Sequence, residues 1–480
     1  MSTKTAFTDI TPPIHHFILQ SLRDNFQYDH ATAVQALVLP SLLAGVSAMV
    51  QAETGGGKTL AFLIPIVCRH LAQPPQSSTF ALILTPTREL AIQIRGVLEG
   101  LTSKKLSKVT FTTLIGGTKR KAEVESLSRN PVVVVGTPGR VLDHMTSTKE
   151  WNYSKLAVFC IDEADRVLEN GFEEQLNDMI SRVPKTADSQ VMLFSATNDA
   201  TKLDDLNKIT SSFPVKLQKF STMHHAGDVV STLQHGFVTV QPDEKFALLY
   251  MLLKQYLARE LKVIVFLASC NEVRHFSDLL NYIDVPVVPL HGQMRQATRT
   301  TTFHQFCNSR NVILLTTDVA ARGLDFPFVD WIIQYDPPDS VPKYVHRVGR
   351  TARAERDGNA LVMLLPQETP MIQMLARNLT NPLKEFKVGE GKINKSIIEE
   401  VLKLVGNNRY LKQGAVDAFR SYLQSYAAQS LKAVFDVYSL DVAKVARAFG
   451  LSQAPIVDLG LSHSALRRDR SKRKWSSGQE

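Results

Sequence analysis

Cysteine is scarce. Cys68, Cys160, Cys270 and Cys307 lie far apart, with no C-x-x-C pair and no histidine at zinc-site spacing. A disulfide framework and a zinc-type metal site are therefore not indicated, and the chain reads as intracellular and reduced. Long apolar runs are also missing: none approaches the roughly 18 to 20 residues needed to span a bilayer. The first ten residues lack a basic region followed by an apolar stretch. Secretion and membrane insertion are thus not expected, and the reading is of a soluble protein. Acidic residues are in modest deficit, 46 against 55 basic ones, for a formal charge of +9 and a pI near 9.2. That balance suits a polyanionic partner without singling one out. With 480 residues, 44% of them hydrophobic, the chain has room for about three units with ordinary cores.

What is present is a rhythm. Short β-branched runs at 47–52, 80–87, 131–140, 156–165 and 191–197 are each followed by turn residues and a longer segment of helical spacing. This is the pattern of βαβ units and a parallel sheet with helices on both faces. It restarts at 233–240, 262–269, 286–292, 311–318, 330–336 and 359–365. The sequence thus predicts an α/β protein of two similar doubly wound domains, 1–218 and 233–386. The aperiodic stretch 219–232, with Gly227, is expected to link them. A mostly helical extension is expected over 387–460. The last segment, 461–480, carries Arg467, Arg468, Arg470, Lys472, Arg473 and Lys474 and is too charged to fold alone. It could add nonspecific affinity for a polyanion, serve nuclear import, or be a solvated tail.

Three short constellations carry chemistry. After the first strand, Ala52 to Thr59 forms a glycine-rich loop (Thr54, Gly55, Gly56, Gly57) ending in Lys58-Thr59 at the start of an apolar helix. Glycines let backbone N–H groups approach phosphates, Lys58 can neutralise their charge, and the Thr59 hydroxyl can join Mg²⁺. Ala52 stands where the P-loop pattern has Gly, and a surface loop would fit the same residues. The strand at 156–161 delivers Asp162-Glu163-Ala164-Asp165 to the sheet edge where ligands bind in such folds. Asp162 is suited to hold Mg²⁺ and Glu163 to orient or deprotonate an attacking water; a solvated helix start is the plain alternative. In the second half, Arg347 and Arg350 are spaced to share a helix face and reach a developing phosphate charge together, or to make surface ion pairs.

Taken together and in this order, these elements resemble the DEAD-box RNA helicases over about Phe7 to Phe386. The resemblance also rests on Pro86-Thr87-Arg88-Glu89-Leu90, Gly116-Gly117, Thr137-Pro138-Gly139-Arg140, Ser195-Ala196-Thr197, Gln296 with Arg299, Thr317 to Asp325, and His346-Arg347-Val348-Gly349-Arg350. It implies two RecA-like domains that close on ATP and single-stranded RNA. It further implies that Pro86, Thr87, Arg88, Gly116, Gly117, Thr137, Pro138, Gly139, Arg140, Gln296, Arg299, Thr317 and Arg322 line the RNA. Gly323 and Asp325 would face ATP. Ser195 and Thr197, with Asp165 and His346, would couple nucleotide state to RNA grip.

Upstream, Tyr28 to Gln35 resembles the family's adenine-reading motif, with Ala31 and Ala33 in place of two prolines. Gln35 would read the adenine edge, since an amide offers both a donor and an acceptor. Phe7 would stack on the base, or serve as a hydrophobic anchor. Glu53 and Gly56 replace the family's more common Gln and Ser. Ala352 replaces a glycine, a version associated with ribosome-biogenesis members, and Ala418 to Phe449 resembles the extension of nucleolar members acting on pre-ribosomal RNA. The implied activity is RNA-dependent ATP hydrolysis with local strand separation, with ATP and Mg²⁺ as cofactors. An ATP-gated RNA clamp is the alternative. RNA contacts would fall on the backbone, independent of sequence. The expected setting is a monomeric core acting on pre-rRNA and pre-ribosomal proteins in the nucleolus.

Overall fold

The computed structural model describes residues 5–52, 55–73, 77–102, 106–169, 171–195, 200–222, 233–321, 326, 329–351, 357–379, 381–388 and 393–457. Glu53, Thr54, Ala196, Thr197, Arg322, Gly323, Asp325, Ala352 and the tail 461–480 lie outside that set. Among the described residues no helix is long and apolar enough to cross a membrane.

The first domain contains strands β1 (Ala48–Gln51), β2 (Ala81–Leu84), β3 (Phe111–Leu114), β4 (Val133–Gly136), β5 (Val158–Ile161), β6 (Gln190–Ser195) and β7 (Gln218–Ser221). They pair in parallel in the order β3-β4-β2-β5-β6-β1-β7. The central strands β2, β4, β5 and β6 are buried throughout, and their runs are largely apolar because helices cover both faces. The second domain repeats the plan with β8 (Leu233–Thr239), β9 (Lys262–Leu267), β10 (Val288–Leu290), β11 (Val312–Thr317), β12 (Trp331–Gln334), β13 (Gly358–Leu364) and β14 (Lys384–Glu385). Their order is β10-β11-β9-β12-β13-β8-β14, again all parallel.

One boundary differs from expectation. Strand β7 runs into the stretch read as linker: Lys219 to Ser221 pair with Met49 to Gln51, so the first sheet ends later than residue 218. These residues form an edge strand exposed along most of its length, so no apolar alternation announced it. Residues 223–232 of the expected linker lie outside the described set. Within the extension, the helix Arg409–Ala428 stops with Gln429 as its C-cap.

The extension packs on the second domain. The helices Ser396–Asn407, Arg409–Ala428 and Val442–Ala448 bury Val401, Val405, Phe419, Tyr422 and Val445. Phe449 stacks on Phe276 of the helix Cys270–Tyr282 with ring centroids 5.2 Å apart. Next to it, His275 shares a hydrogen bond of 3.1 Å between Nε2 and the Phe449 carbonyl. Asn271 Nδ2 donates to Ser421 Oγ at 2.6 Å and Tyr410 Oη to Asp278 Oδ2 at 2.9 Å.

Burial pushes the His275 imidazole down to about 4, against a carbonyl contact that works the other way. The unfolded chain therefore binds a proton between pH 6.5 and about 4 that the folded chain does not. Stability from this histidine is complete above pH 6.5 and falls as pH drops through that window, by at most about 1.4 kcal/mol per pH unit. Urea unfolding from pH 7 to 5 should show this slope in the wild type and a shallower one in His275→Gln.

Candidate functional site

Because every strand in the first sheet runs the same way, all its C-terminal turns lie on one edge. Strand order then sorts them. On one side are β5, β6 and β1, which end at Asp162, at Ser195 and at the glycine loop. On the other are β3, β4 and β2, which end near Gly116, at Thr137 and at Thr85-Pro86.

The loop after β1 leads into the helix Lys58–Leu71, whose N-cap Gly57 has φ +95°. A Cβ there would lie 2.5 Å from Gln35 Nε2 and 2.8 Å from Thr32 Oγ1, so only glycine fits. Thr32 and Gln35 form a capping box at the start of the helix Ala33–Leu43. From it, Thr32 Oγ1 donates to the Gly56 carbonyl at 2.7 Å and Gln35 Nε2 to the Gly57 carbonyl at 2.9 Å. Gln35 is 3% exposed. Its amide thus braces the glycine loop here, whereas the sequence suggested that it would be displayed to adenine. The T-x-x-Q spacing was the available signal. Phe7 is likewise 3% exposed and packs in the hydrophobic core, as the anchor alternative expects. Tyr28 is 51% exposed and lies over Phe26, with centroids 5.9 Å apart; it presents the open aromatic surface of this motif.

Lys58 donates from Nζ to the Ala52 carbonyl at 2.6 Å. The Ala52 N–H in turn donates to the Ser195 carbonyl at 3.1 Å, tying the loop to the end of β6. Asp162 is 3% exposed, and its Oδ1 accepts from the Glu163 N–H at 2.9 Å. Burial, with the charge of Glu163 adding and that of Lys58 opposing, pushes the Asp162 carboxyl up to about 7. A divalent cation would hold it ionised. Asp162 and the Thr59 hydroxyl are hard oxygen donors of the kind Mg²⁺ takes, and Mg²⁺ needs few protein ligands when phosphates and waters complete its shell. Glu163 has φ +49°, a conformation that costs a non-glycine residue about 1 to 3 kcal/mol and tends to mark functional positions. Asp165, two residues on, is 1% exposed.

On the other half of the edge, Arg88 is exposed and lies flat over Gly116, where a Cβ would meet its Nη2 at 2.7 Å. Gly117 has φ +89°. Thr137 precedes the helix Pro138–Ser147, and Gly139 is exposed at its first turn. Thr87 Oγ1 accepts from the Leu90 N–H at 3.3 Å, opening the helix that holds Arg88. The residue that joins these segments is Glu123, which was not among the sequence candidates. Its carboxylate, 5% exposed, accepts from Arg140 at 2.7 Å, from Thr118 Oγ1 and from the Ile115 N–H, and contacts His144 Nε2 at 2.9 Å. Burial alone would raise its pKa, but the hydrogen bonds from Thr118, His144 and Arg140 hold it below the usual glutamate value. No motif spacing pointed to it; an acid in a short, highly charged helix reads as a solvated surface.

In the second domain, Gln296 opens the helix Gln296–Asn308 that also carries Arg299, and Thr317 ends β11. Arg347 and His346 lie in the last turn of the helix Val341–Val348, whereas Arg350 falls beyond its end. The two arginines therefore do not share a helix face. Arg347 is 4% exposed and committed within its own domain: Nε and Nη2 grip Asp318 Oδ1 and Oδ2 at 2.7 and 2.8 Å, and Nη1 donates to the Asp336 carbonyl at 2.6 Å.

Residues 32–206 match the DEAD/DEAH box helicase family model and 244–355 the helicase conserved C-terminal domain. Residues 408–457 match the ATP-dependent rRNA helicase SPB4-like C-terminal extension. The chain is 44% identical to ATP-dependent RNA helicase HAS1 of Saccharomyces cerevisiae, over 92% of this chain and 86% of that protein. It is also 44% identical to HAS1 of Mycosarcoma maydis, over 91% and 75%. Among solved structures, DEAD-box helicase Mss116 bound to single-stranded RNA and UDP-BeF superposes with a TM-score of 0.84 at 25% identity, covering 97% of each chain. Saccharomyces cerevisiae Dbp5 bound to RNA and ADP-BeF3 gives 0.70 at 25%, over 85% and 99%.

Glu123→Gln keeps the shape of the hub and removes its charge. Loss of the charge-assisted bond should destabilise the first domain by about 1.5 to 3 kcal/mol and weaken RNA binding while leaving ATP affinity unchanged. Thermal unfolding and fluorescence titration with each ligand would measure both. In the wild type this contribution is complete above pH 4.5 and is lost as pH falls through the lowered folded value.

Proposed function

Since the chain belongs to the DEAD-box ATP-dependent RNA helicases, an ATP-hydrolysing family, we propose which residues carry its cycle and where it acts. The observation that bears most weight is the sorting of the first sheet's C-terminal edge. Strands β5, β6 and β1 bring Asp162-Glu163, Ser195 and Lys58 together, while β3, β4 and β2 bring Gly116, Thr137-Arg140 and Arg88 together. One rigid sheet thus serves a nucleotide at one half of its edge and a strand of RNA at the other.

Lys58 and the N–H groups at the start of its helix hold the ATP phosphates. Glu163, fixed in its left-handed conformation, orients the attacking water and takes its proton. Asp162 and Thr59 would hold Mg²⁺, which would neutralise charge on the phosphates. Positive charge for the transition state comes from Arg350, while Arg347 braces the turn that leads to it. For RNA, the first domain offers Pro86, Thr87, Arg88, Gly116, Gly117 and Thr137 to Arg140, and the second offers Gln296, Arg299 and Thr317. Their cations and backbone groups favour phosphate contacts, which carry no sequence information. Ser195 is assigned to coupling by its motif, and its carbonyl, which accepts from the Ala52 N–H, ties the end of β6 to the start of the nucleotide loop. Asp165 and His346 belong to the same coupling set, together with Thr197, while Arg322 joins the RNA contacts and Gly323 and Asp325 face ATP by their place in the motifs. The SPB4-like extension and the HAS1 relatives support action on pre-rRNA in ribosome assembly, with pre-ribosomal proteins as partners and the nucleolus as setting.

Steady-state ATP hydrolysis with and without single-stranded RNA is the direct test. Wild type should be stimulated by RNA, and Glu163→Gln should lose about 10² to 10⁴ in kcat while still binding ATP and RNA. Arg350→Ala should lose about 10³ or more. Two RNAs of unrelated sequence should bind alike, and both should weaken with added salt. A wild type that holds RNA with an ATP analogue but separates no short duplex would make it a clamp. Depletion that leaves rRNA processing unchanged would remove the proposed setting.

A further inference from the structure

The second domain buries a set of charges that nucleotide and RNA contacts do not require. Asp336, just beyond β12, is 3% exposed. Its Oδ1 accepts from Lys245 Nζ at 3.0 Å and its Oδ2 from the Ala268 N–H at 2.9 Å. Lys245, also 3% exposed, lies over the Tyr335 ring, 4.5 Å from its centroid. Glu272 and Glu368 are fully buried beside this pair. Burial, with the charge of Asp336 adding, pushes Glu272 well above the usual glutamate range; burial, with Lys245 opposing, pushes Glu368 up to about 7. One lysine among three carboxylates leaves one full ion pair, Lys245 with Asp336, in surroundings where a charge without a partner is costly.

The C-terminal extension forms the roof. Tyr422 from the helix Arg409–Ala428, Val445 from the helix Val442–Ala448, and Phe449 line a cavity of about 10 Å³ together with Pro242, Lys245 and Tyr335. That is room for about one water molecule. Tyr426 borders Glu368 from the same helix.

Asp336 also faces the arginine motif. Its backbone carbonyl takes Arg347 Nη1 at 2.6 Å, and Arg347 holds both oxygens of Asp318, the first residue after β11. A continuous line of contacts therefore runs from the extension through Lys245 and Asp336 to Arg347. Asp336 is fixed on three sides: by Lys245, by the Ala268 N–H and by Arg347.

We propose that Lys245 and Asp336 are positioning residues for ATP hydrolysis, and that the extension, by sealing them from water, holds Arg347 and the turn to Arg350 in working geometry. This rests on the reading of Arg350 as the residue that meets the transition state. It gives the extension a role in the ATPase cycle itself, separate from any RNA or protein it binds.

The test uses the full chain and measures kcat and KM for RNA-stimulated ATP hydrolysis alongside the unfolding midpoint. Lys245→Met keeps the stem and removes the charge, Tyr422→Leu opens the roof, and Lys245→Arg is the conservative rescue. Lys395→Ala, which removes only an exposed contact to Glu244, is the control. We expect Lys245→Met and Tyr422→Leu to lower kcat by about tenfold or more with KM changed by less than about twofold, and Lys245→Arg to recover part of the loss. In an Arg347→Lys background, Lys245→Met should lower kcat no further, because the two act as one unit. A kcat equal to wild type in both Lys245→Met and Tyr422→Leu, with only the unfolding midpoint lowered, would reduce the cluster to packing and overturn the proposal. Additive losses with Arg347→Lys would do the same. Should Lys245→Met not fold, Tyr422→Leu decides by the same criteria. Wild-type hydrolysis in Arg350→Ala would instead overturn the underlying reading of the arginine motif and this proposal with it. Impaired Arg350→Ala beside unimpaired Lys245→Met and Tyr422→Leu overturns this proposal alone.

Discussion

Parallel strand pairing is the constraint on which the rest of this molecule depends. When every strand of a sheet runs the same way, every C-terminal turn arrives at the same edge, and side chains hundreds of residues apart become neighbours. In the first domain this joins the loop at 55–59 to Asp162 and Ser195, although the chain between the first and last of them visits most of the sheet. Pairing order adds a division: β5, β6 and β1 lie together, as do β3, β4 and β2. A sheet twisted and covered on both faces deforms little, so the two halves of its edge keep a fixed spacing. Within the nucleotide half, the bond from the Ala52 N–H to the Ser195 carbonyl ties the loop after β1 to the end of β6.

Each domain then secures its loops with a buried carboxylate. In the first, Glu123 gathers Ile115, Thr118, Arg140 and His144. In the second, Asp336 gathers Lys245, Ala268 and, by its carbonyl, Arg347. A carboxylate can accept up to about four hydrogen bonds, so it can bind several segments that share no other contact. Buried ion pairs add little net stability because desolvation offsets their attraction, whereas removing one partner is strongly unfavourable. Their value here is geometric: they leave the surrounding loops one arrangement.

Much of the architecture was legible in the chain. The apolar strands at 81–84, 133–136 and 158–161 are buried on both faces, and such runs cannot be mistaken for surface. The edge strands β7 and β14 were not legible, because exposed strands bear no apolar pattern. Among the site residues, Lys58 fell at a helix start and Asp162 and Glu163 just beyond a strand end, as their spacing implied. Phe7, Gln35 and Arg347 were assigned to a ligand by motif, yet each is held by other parts of the chain. Local spacing says which side chains are available; it does not say which of them the surrounding structure has already engaged.

By itself the sequence determined the fold class, the two sheets, the strand-loop-helix setting of the phosphate loop and the acidic tetrad, and the family. These are properties of short segments, set by periodicity and by residue chemistry within a few positions. Only the tertiary structure decided that Glu123 is a hub, that Gln35 braces the loop at Gly57, that Arg347 is committed to Asp318, and that the extension roofs Lys245 and Asp336. Each of those depends on contacts between residues far apart in the chain. Whether a polar side chain is a free reagent or a structural tie is settled by what else is buried beside it, and burial is a property of the folded whole.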